Sequence, residues 1–188
     1  MGKRKAVFLD RDGTINIDKN YVFRKEDFGF LPGALEGMKR LKEAGYLLII
    51  LTNQSGIARG YYTEEQYLSL QAWMCRKMKQ ENAEPDGIYY CPHLPDASII
   101  KYRKICCCRK PNLGMFYQAI RDYDIDITAS AAVGDKKRDL CICIKEHIPG
   151  YLIYSQDASE QESPFIHCLH GGLLEAANQI ISYSEKGK

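Results

Sequence analysis

The segment KAVFLDRDGT, residues 5–14, is the most informative part of the sequence about the fold. Its first half, Lys5 to Leu9, is a short apolar run that ends at an acidic turn containing glycine, which is typical of a strand buried in a parallel sheet. A second apolar run without alternation, YLLIILTN at residues 46–53, also ends in polar residues and predicts a second buried strand. Further strands are predicted at residues 87–91, 130–135 and 151–155.

Helical patterns separate these strands. The apolar spacing of residues 35–41, followed by Gly45, predicts one helix. Thr63 and Gln66 form a capping-box pattern that opens a second helix running to Asn82. Further helices are expected at residues 114–123 and 173–183, and a polar loop at 157–164. Strands that alternate with helices imply right-handed crossovers, so we expect the α/β class with a doubly wound parallel sheet.

Composition narrows the classes of protein. The 188 residues, 45% hydrophobic and 27% charged, suit one globular domain spanning 1–188 and exclude a disordered chain. The net charge of +2 is spread along the chain, which disfavours a nucleic-acid partner. No apolar run reaches the roughly 20 residues of a membrane span, and no signal-peptide core is present. We therefore expect a cytoplasmic monomer with no membrane partner and reduced thiols.

Polar residues follow the ends of four predicted strands, namely DRDGT (10–14), TNQS (52–55), CPH (91–93) and GDK (134–136). Because ligands bind beyond the carboxyl ends of parallel strands, these residues should meet at one edge of the sheet. Asp10 and Asp12 could divide nucleophilic attack and proton transfer, while Asp135 would complete a Mg²⁺ site. The alternative is an acidic turn and a charged helix entry, but the order and placement of the motifs favour phosphoryl transfer.

Eight cysteines include a cluster in the long unpatterned segment 91–110. Cys91-x-His93 and Cys106-x-Cys108 supply three sulfurs and one nitrogen, which suits a closed, structural zinc site. In an extended segment Cys107 faces away from its neighbours. The alternative is a set of buried free thiols, and we assign that state to the remaining cysteines, which are Cys75, Cys107, Cys141, Cys143 and Cys168.

Four motifs in this order, DRDGT, TNQSGIARG, CPH with CCCRKP, and GDK, resemble the haloacid dehalogenase superfamily of aspartate-nucleophile phosphatases. Within it, the sequence is most similar to the bacterial heptose bisphosphate phosphatases and next to the histidinol-phosphate phosphatases. The similarity spans residues 6–155. It implies a sheet of the haloacid dehalogenase type without a large cap domain and with a zinc-bound loop at about residues 91–110, here called the zinc loop. The family's zinc ligands match the four positions above.

The resemblance implies that Asp10 is the nucleophile and Asp12 the general acid and then base. Mg²⁺ would be held by the carboxylates of Asp10 and Asp135 and by the backbone carbonyl of Asp12. Thr52 and Lys110 would stabilise the transferring phosphoryl group, and Asp139 would support the site without binding the metal. Substrate contacts are implied for Asp18, Lys19, Asn20, Tyr21, Asn53, Gln54, Ser55, Arg109 and Lys136.

The expected activity is removal of the 7-phosphate from a heptose 1,7-bisphosphate, a small phosphorylated sugar, to leave heptose 1-phosphate for nucleotide-activated heptose and lipopolysaccharide biosynthesis. With no room for a large cap, short loops should wall the pocket, and the zinc loop should hold Arg109 and Lys110 rigidly. Three alternatives stay open at this point. They are a histidinol-phosphate phosphatase, a polynucleotide 3′-phosphatase, and a zinc-stabilised binding module with a degenerate site.

Overall fold

Six parallel strands form one sheet in the computed structural model, which describes residues 2–154 and 163–186. The strands are β1 (Ala6–Leu9), β2 (Leu47–Asn53), β3 (Gly87–Cys91), β4 (Ala131–Gly134), β5 (Gly150–Leu152) and β6 (Ile166–Cys168). Their order across the sheet is β3-β2-β1-β4-β5-β6, and every neighbouring pair is parallel. The strand order reverses at β1, which places the switch point of the sheet, and its ligand crevice, at the carboxyl end of that strand.

The sheet is covered on both faces. Its helices are α1 (Ala34–Glu43), α2 (Ser55–Arg59), α3 (Glu64–Gln80), α4 (Gly114–Asp122), α5 (Cys141–Glu146) and α6 (Leu173–Lys186). Val7 and Leu9 of β1 pack with α1, α3 and α6 on one face. Phe8 packs with α4 and α5 on the other, and its ring meets that of Phe116 edge-on at 5.4 Å. The doubly wound α/β architecture expected from the uninterrupted apolar strands is confirmed.

Local signals placed most elements correctly. The capping box opening α3 is formed, since the Gln66 amide donates to Thr63 Oγ1 at 3.2 Å and the Thr63 amide to Gln66 Oε1 at 2.8 Å. That helix ends at Gln80, two residues before the expected Asn82.

The sheet departs from expectation near its edge. The strand expected at 151–155 is wrong in extent, because β5 covers 150–152 and the chain then turns away. Strand β6 was not predicted, since three residues carry too little pattern to detect. Most of the polar loop expected at 157–164 lies outside the described residues, as does Ser155.

No large cap covers the sheet in the fully described region 10–113. Residues 10–33 form turns and isolated bridges, and residues 92–113 form a loop with one 3₁₀ turn at Ile100–Tyr102. The absence of a large cap is therefore confirmed. Among the described helices, none has the length and apolarity needed to cross a bilayer.

Candidate active site

A cavity of about 340 Å³ opens beyond the carboxyl ends of the central strands. Its lining includes many of the residues expected from sequence, namely Asp10, Asp12, Asp18, Asn20, Tyr21, Thr52, Asn53, Gln54, Ser55, Arg109, Lys110 and Lys136. Lys19 does not line it, and its assignment to substrate binding stays a prediction. Asp135 is not part of the lining either, but its carboxylate lies within 4.8 Å of those of Asp10 and Asp139.

The Lys110 ammonium pairs with two carboxylates of the site. Its ammonium lies 2.7 Å from Asp10 Oδ1 and 2.8 Å from Asp139 Oδ1, and it donates to the Leu51 carbonyl at 2.5 Å. All three charged groups are buried. Burial raises the pKa of Asp10 to about 6, with Lys110 opposing that rise and the Asp139 charge adding to it. Burial also disfavours the charged ammonium, but the two carboxylates outweigh that effect and raise the pKa of Lys110, which keeps it a cation.

Asp12 is held by a neighbour in the sequence. The buried Arg11 guanidinium contacts both carboxylate oxygens of Asp12, at 2.7 and 2.8 Å from Nη2, and donates to the Val22 carbonyl. Asn16 and Gln54 donate to the same carboxylate at 3.0 Å each. Burial opposes ionisation of Asp12, but Arg11 and these donors prevail and lower its pKa. Sequence patterns did not single out Arg11, because they do not show that its guanidinium folds back on the next residue.

The Gln54 side chain links Asp12 and Thr52 through hydrogen bonds. Its amide nitrogen donates to Asp12 Oδ2 at 3.0 Å and to Thr52 Oγ1 at 2.8 Å, and its amide oxygen accepts from the Tyr62 hydroxyl at 2.6 Å. All of these contacts except the one to Asp12 are buried. The Tyr62 hydroxyl therefore fixes which way the Gln54 amide points, and Tyr62 is a cavity residue that the sequence analysis missed.

Asn53 holds the backbone of Lys110. Its Oδ1 accepts from the Lys110 amide and its Nδ2 donates to the Lys110 carbonyl, both at 3.0 Å. This pair of bonds joins the end of β2 to the zinc loop, 57 residues away in sequence. The Asn53 amide is thus engaged in positioning Lys110 while it lines the cavity.

Three carboxylates, those of Asp10, Asp135 and Asp139, lie within 4.8 Å of one another. Burial and the charge of Asp10 raise the pKa of Asp135, and Lys136 opposes that rise. Asp135 Oδ1 and Asp139 Oδ2 are buried without a hydrogen-bond partner among the described residues. Because crowded carboxylate oxygens that lack donors are the ligands a hard cation requires, these residues fit Mg²⁺. Gly13, at φ 87°, lets the chain turn here, since a Cβ at this position would overlap the Asp135 carboxylate.

The four expected zinc ligands come together at the end of β3. The Sγ atoms of Cys91, Cys106 and Cys108 lie 3.2–3.5 Å apart. His93 Nδ1 lies 3.6 Å from the Cys91 sulfur and 3.3 Å from that of Cys108. Three sulfurs and one nitrogen at this spacing can surround one tetrahedral ion, so the cluster fits zinc.

The remaining cysteines are free but mostly not buried. Cys107 is exposed and is not part of the four-residue cluster, although residues 107–109 form a bend rather than the expected extended segment. The expectation that these five thiols are buried is confirmed for Cys143 and wrong for the exposed Cys107, while Cys75, Cys141 and Cys168 are half-buried. Partial solvation of a thiol costs little, so burial is not required where no strand or helix core demands it.

Two cavity arginines were also missed. Arg59 ends α2 and Arg138 follows β4 in a 3₁₀ turn, and both side chains line the cavity. Neither has a carboxylate within 4.0 Å among the described residues, and the same holds for Arg109. Arg59 lies inside the TNQSGIARG motif. A cationic residue a few positions after a predicted strand was the signal that could have identified Arg59 as a cavity residue.

Comparisons with known proteins agree with this geometry. The model of the polynucleotide kinase 3 phosphatase family matches residues 5–139. A D-glycero-beta-D-manno-heptose-1,7-bisphosphate 7-phosphatase of Photorhabdus laumondii is 54% identical over 135 residues, 72% of each chain. Its counterpart in Escherichia coli strain K12 is 46% identical over 144 residues, covering 76% of this chain and 75% of the other. The D,D-heptose 1,7-bisphosphate phosphatase of B. bronchiseptica, solved with magnesium and phosphate, superposes with a TM-score of 0.80 at 30% identity and covers 95% of this chain and 99% of its own.

A parallel sheet of this strand order, with an aspartate pair after its first strand and a buried lysine between the first of those aspartates and a further carboxylate, defines a phosphatase of the haloacid dehalogenase superfamily. It is an enzyme of the phosphoric monoester hydrolase class. The chain belongs to the polynucleotide kinase 3 phosphatase family, and its relatives place it among the D-glycero-D-manno-heptose-1,7-bisphosphate 7-phosphatases.

Proposed function

We propose that this enzyme removes the 7-phosphate of D-glycero-D-manno-heptose 1,7-bisphosphate and releases heptose 1-phosphate for the biosynthesis of nucleotide-activated heptose. The charge arrangement of the cavity carries this proposal. Five cations and four carboxylates line it. Lys110 and Lys136 are already ion-paired, whereas three arginines are not. Unpaired guanidinium groups beside a nucleophile site favour a substrate that carries a second phosphate.

In the first step, an Asp10 oxygen attacks the phosphorus of the 7-phosphate and the bond from phosphorus to the sugar oxygen breaks. Asp12 gives a proton to that leaving oxygen, which yields a sugar hydroxyl and an aspartyl-phosphate. In the second step, Asp12 takes a proton from water, and the water oxygen attacks the phosphorus. Inorganic phosphate then leaves, and the Asp10 carboxylate is restored.

The remaining groups stabilise charge. Lys110, beside Asp10, faces the growing charge on the phosphoryl group, and Thr52 donates its hydroxyl hydrogen to a phosphoryl oxygen. Asp12 must be protonated for the first step although Arg11 lowers its pKa in the free enzyme. A phosphate dianion placed next to Asp12 raises that pKa, because a nearby like charge favours the neutral carboxyl.

Mg²⁺ would be held by the carboxylates of Asp10 and Asp135 and by the Asp12 backbone carbonyl. When bound, it offsets the mutual repulsion of the carboxylates and the phosphoryl group. Asp139, which lies within reach of both carboxylates and pairs with Lys110, would support the site. The relative from B. bronchiseptica, named as a complex with magnesium and phosphate, supports this assignment.

Zinc in the Cys91, His93, Cys106 and Cys108 cluster would have a structural role. With four protein ligands it keeps no open position for substrate, and it would fix the loop that carries Arg109. Asp18, Asn20, Tyr21, Gln54, Ser55 and Lys136 complete the proposed substrate contacts. We propose that the enzyme acts in the cytoplasm as a monomeric single domain, and its free thiols suit that reducing compartment.

The test is phosphate release from a panel of substrates. Purified enzyme with Mg²⁺ is assayed on both anomers of heptose 1,7-bisphosphate, on histidinol phosphate and on a 3′-phosphorylated oligonucleotide. We expect the highest kcat/KM on one heptose bisphosphate, with one phosphate released per sugar. A preference for histidinol phosphate or for the oligonucleotide would overturn the substrate assignment. Inactivity on every member would favour a degenerate site.

A further inference from the structure

We propose that Arg59 determines substrate specificity by binding, together with Arg109, the phosphate that is not cleaved. This inference rests on the proposed function, since it requires a substrate with two phosphates. Arg59 is the last residue of the short helix α2, seven residues after Thr52 in the chain. Its side chain lines the same cavity as Asp10 and Lys110.

The Arg59 side chain has a buried donor without a partner among the described residues. Its Nε is buried without a hydrogen-bond partner among the described residues, and no described carboxylate lies within 4.0 Å. A donor removed from water and left unpaired is unfavourable, and the cost is larger for a charged group. An anion in the cavity would supply the missing acceptors and the missing counter-charge.

The helix that carries Arg59 is fixed to the zinc loop. The Ile99 amide donates to the Ala58 carbonyl at 3.0 Å, and the Ile99 side chain lies beside Gly60. Arg109 belongs to the same loop and donates to the His93 carbonyl at 3.4 Å. The loop that carries Arg109 is thus hydrogen-bonded to the helix that carries Arg59, and both side chains line one cavity, which supports the inference that they bind a single anion.

The sheet order places the two arginines on one side of the nucleophile. Arg59 follows β2 and Arg109 follows β3, whereas Lys136 and Arg138 follow β4, and β1 with Asp10 lies between the two groups. On the β4 side, Lys136 is neutralised by Asp18 at 3.3 Å and by Asp135 at 3.2 Å. Of the cavity cations without a carboxylate within 4.0 Å among the described residues, the β4 side carries only Arg138, whereas the β2 side carries both Arg59 and Arg109. A second phosphate should therefore bind preferentially on the β2 side.

Two guanidinium groups can donate more charge-assisted hydrogen bonds to one phosphate than a single arginine can. Binding energy from the phosphate that does not react also helps to orient the one that does, so it acts on kcat/KM for the bisphosphate. A monophosphate makes no such contact. Loss of Arg59 should therefore reduce the discrimination between the two substrates.

The experiment compares kcat/KM on heptose 1,7-bisphosphate and on heptose 7-phosphate for the wild-type enzyme and for Arg59→Gln, Arg59→Lys, Arg138→Gln and Arg121→Gln. We expect Arg59→Gln to lower the bisphosphate-to-monophosphate ratio about 10- to 100-fold, the range given by loss of charged hydrogen bonds. Arg59→Lys should keep part of the ratio. Arg121→Gln, which removes an exposed arginine of α4 outside the cavity, should leave it unchanged.

Inhibition by heptose 1-phosphate gives a second readout that does not depend on turnover. Its inhibition constant against the monophosphate reaction should rise in Arg59→Gln and stay constant in Arg121→Gln. If the wild-type enzyme prefers the bisphosphate and Arg59→Gln prefers it to the same extent, the role of Arg59 is overturned while the proposed function is not. The same conclusion follows if only Arg138→Gln loses the preference. A wild-type enzyme that does not hydrolyse the bisphosphate overturns the proposed function as well. Thermal unfolding shows whether each variant is folded. If Arg59→Gln does not fold, the ratio measured for Arg59→Lys tests the role of Arg59 instead.

Discussion

Asp10 and Lys110 show how the site depends on single residues. Both side chains are buried, and their charged atoms lie 2.7 Å apart. Asp139 shares the same ammonium at 2.8 Å. Removal of one partner from such a pair leaves a buried charge without compensation, which costs about 3–5 kcal/mol. Substitutions here must therefore preserve shape and hydrogen bonding if catalysis is to be separated from folding.

Asp10→Asn meets that condition, because the amide keeps the shape and an acceptor for Lys110, and Asp139 still neutralises the ammonium. We expect turnover to fall by roughly three orders of magnitude or more, since the nucleophile is lost, while circular dichroism stays unchanged. Asp27→Asn, at an exposed loop position, is the matched control and should retain full activity. Near-wild-type turnover of Asp10→Asn with Mg²⁺ present would show that the mechanism is wrong.

Tyr62→Phe tests the ordering of Gln54. The change removes the hydroxyl that donates to Gln54 Oε1 at 2.6 Å, so the amide loses the bond that fixes its orientation toward Asp12 and Thr52. We expect a loss of about 1 kcal/mol in the free energy of unfolding and a several-fold lower kcat. Tyr61→Phe, at an exposed neighbour, should change neither quantity. Equal behaviour of the two variants in urea unfolding and in turnover would exclude this role of Tyr62.

Among the elements, the loop after β3 has little regular structure, and its most ordered feature is the cluster of four side chains that we propose binds zinc. Its ligands lie at the end of β3 and 15 to 17 residues later in the chain. Asn53 joins the far end of this loop to β2 through two hydrogen bonds at the Lys110 backbone. The loop therefore links metal binding to the position of Lys110, and loss of the ion should loosen both Lys110 and Arg109.

We expect about one equivalent of zinc per chain in protein purified without added metal, as befits a set of three thiolates and one imidazole. EDTA should remove exchangeable Mg²⁺ readily and zinc slowly. Cys108→Ser should lose zinc, and Cys107→Ser, which changes the exposed neighbour, should keep it. Elemental analysis measures each case. Full zinc retention in the double variant Cys91→Ala, Cys106→Ala would refute the assignment.

For the whole molecule, the cavity is walled by loops from four strand ends, with no large cap in the described region 10–113. Specificity must then come from fixed side chains around an open mouth rather than from closure of a second domain. Every phosphate ester would present a phosphoryl group to Asp10, so this contact does not distinguish one substrate from another. The cations farther from Asp10 can distinguish a bisphosphate from a simple ester.

Arg109→Ala should therefore act unequally on different substrates. We expect its kcat/KM on heptose 1,7-bisphosphate to fall about tenfold or more, because a charged hydrogen bond to the remote phosphate or sugar is lost. On an aryl phosphate, which extends no second anion toward the loop, the loss should be clearly smaller. Arg103→Ala, an exposed arginine of the same loop outside the cavity, is the control. Equal losses on both substrates would contradict a specificity role for Arg109.

The fold class, most helices and strands, and most of the residues that gather at the sheet edge could be predicted from the amino-acid sequence. Burial of strands on both faces leaves a local trace in uninterrupted apolar runs such as residues 46–53, and parallel strands bring their carboxyl ends to one edge. The clustering of Cys91, His93, Cys106 and Cys108 could also be predicted, since their residue types and spacing suit one ion, while zinc itself stays a prediction. The catalytic and binding roles of these residues stay predictions.

The pairing of charged side chains could not be predicted without the folded structure. Lys110 meets Asp10 from 100 residues away, and Lys136 meets Asp18 from 118 residues away. Such pairs leave no periodic trace, because an ion pair depends on a distance in space that many sequence separations can satisfy. The same reason explains why Tyr62 and the unpaired Arg59 were missed: their importance lies in which neighbours they have or lack, and packing of the whole chain sets that.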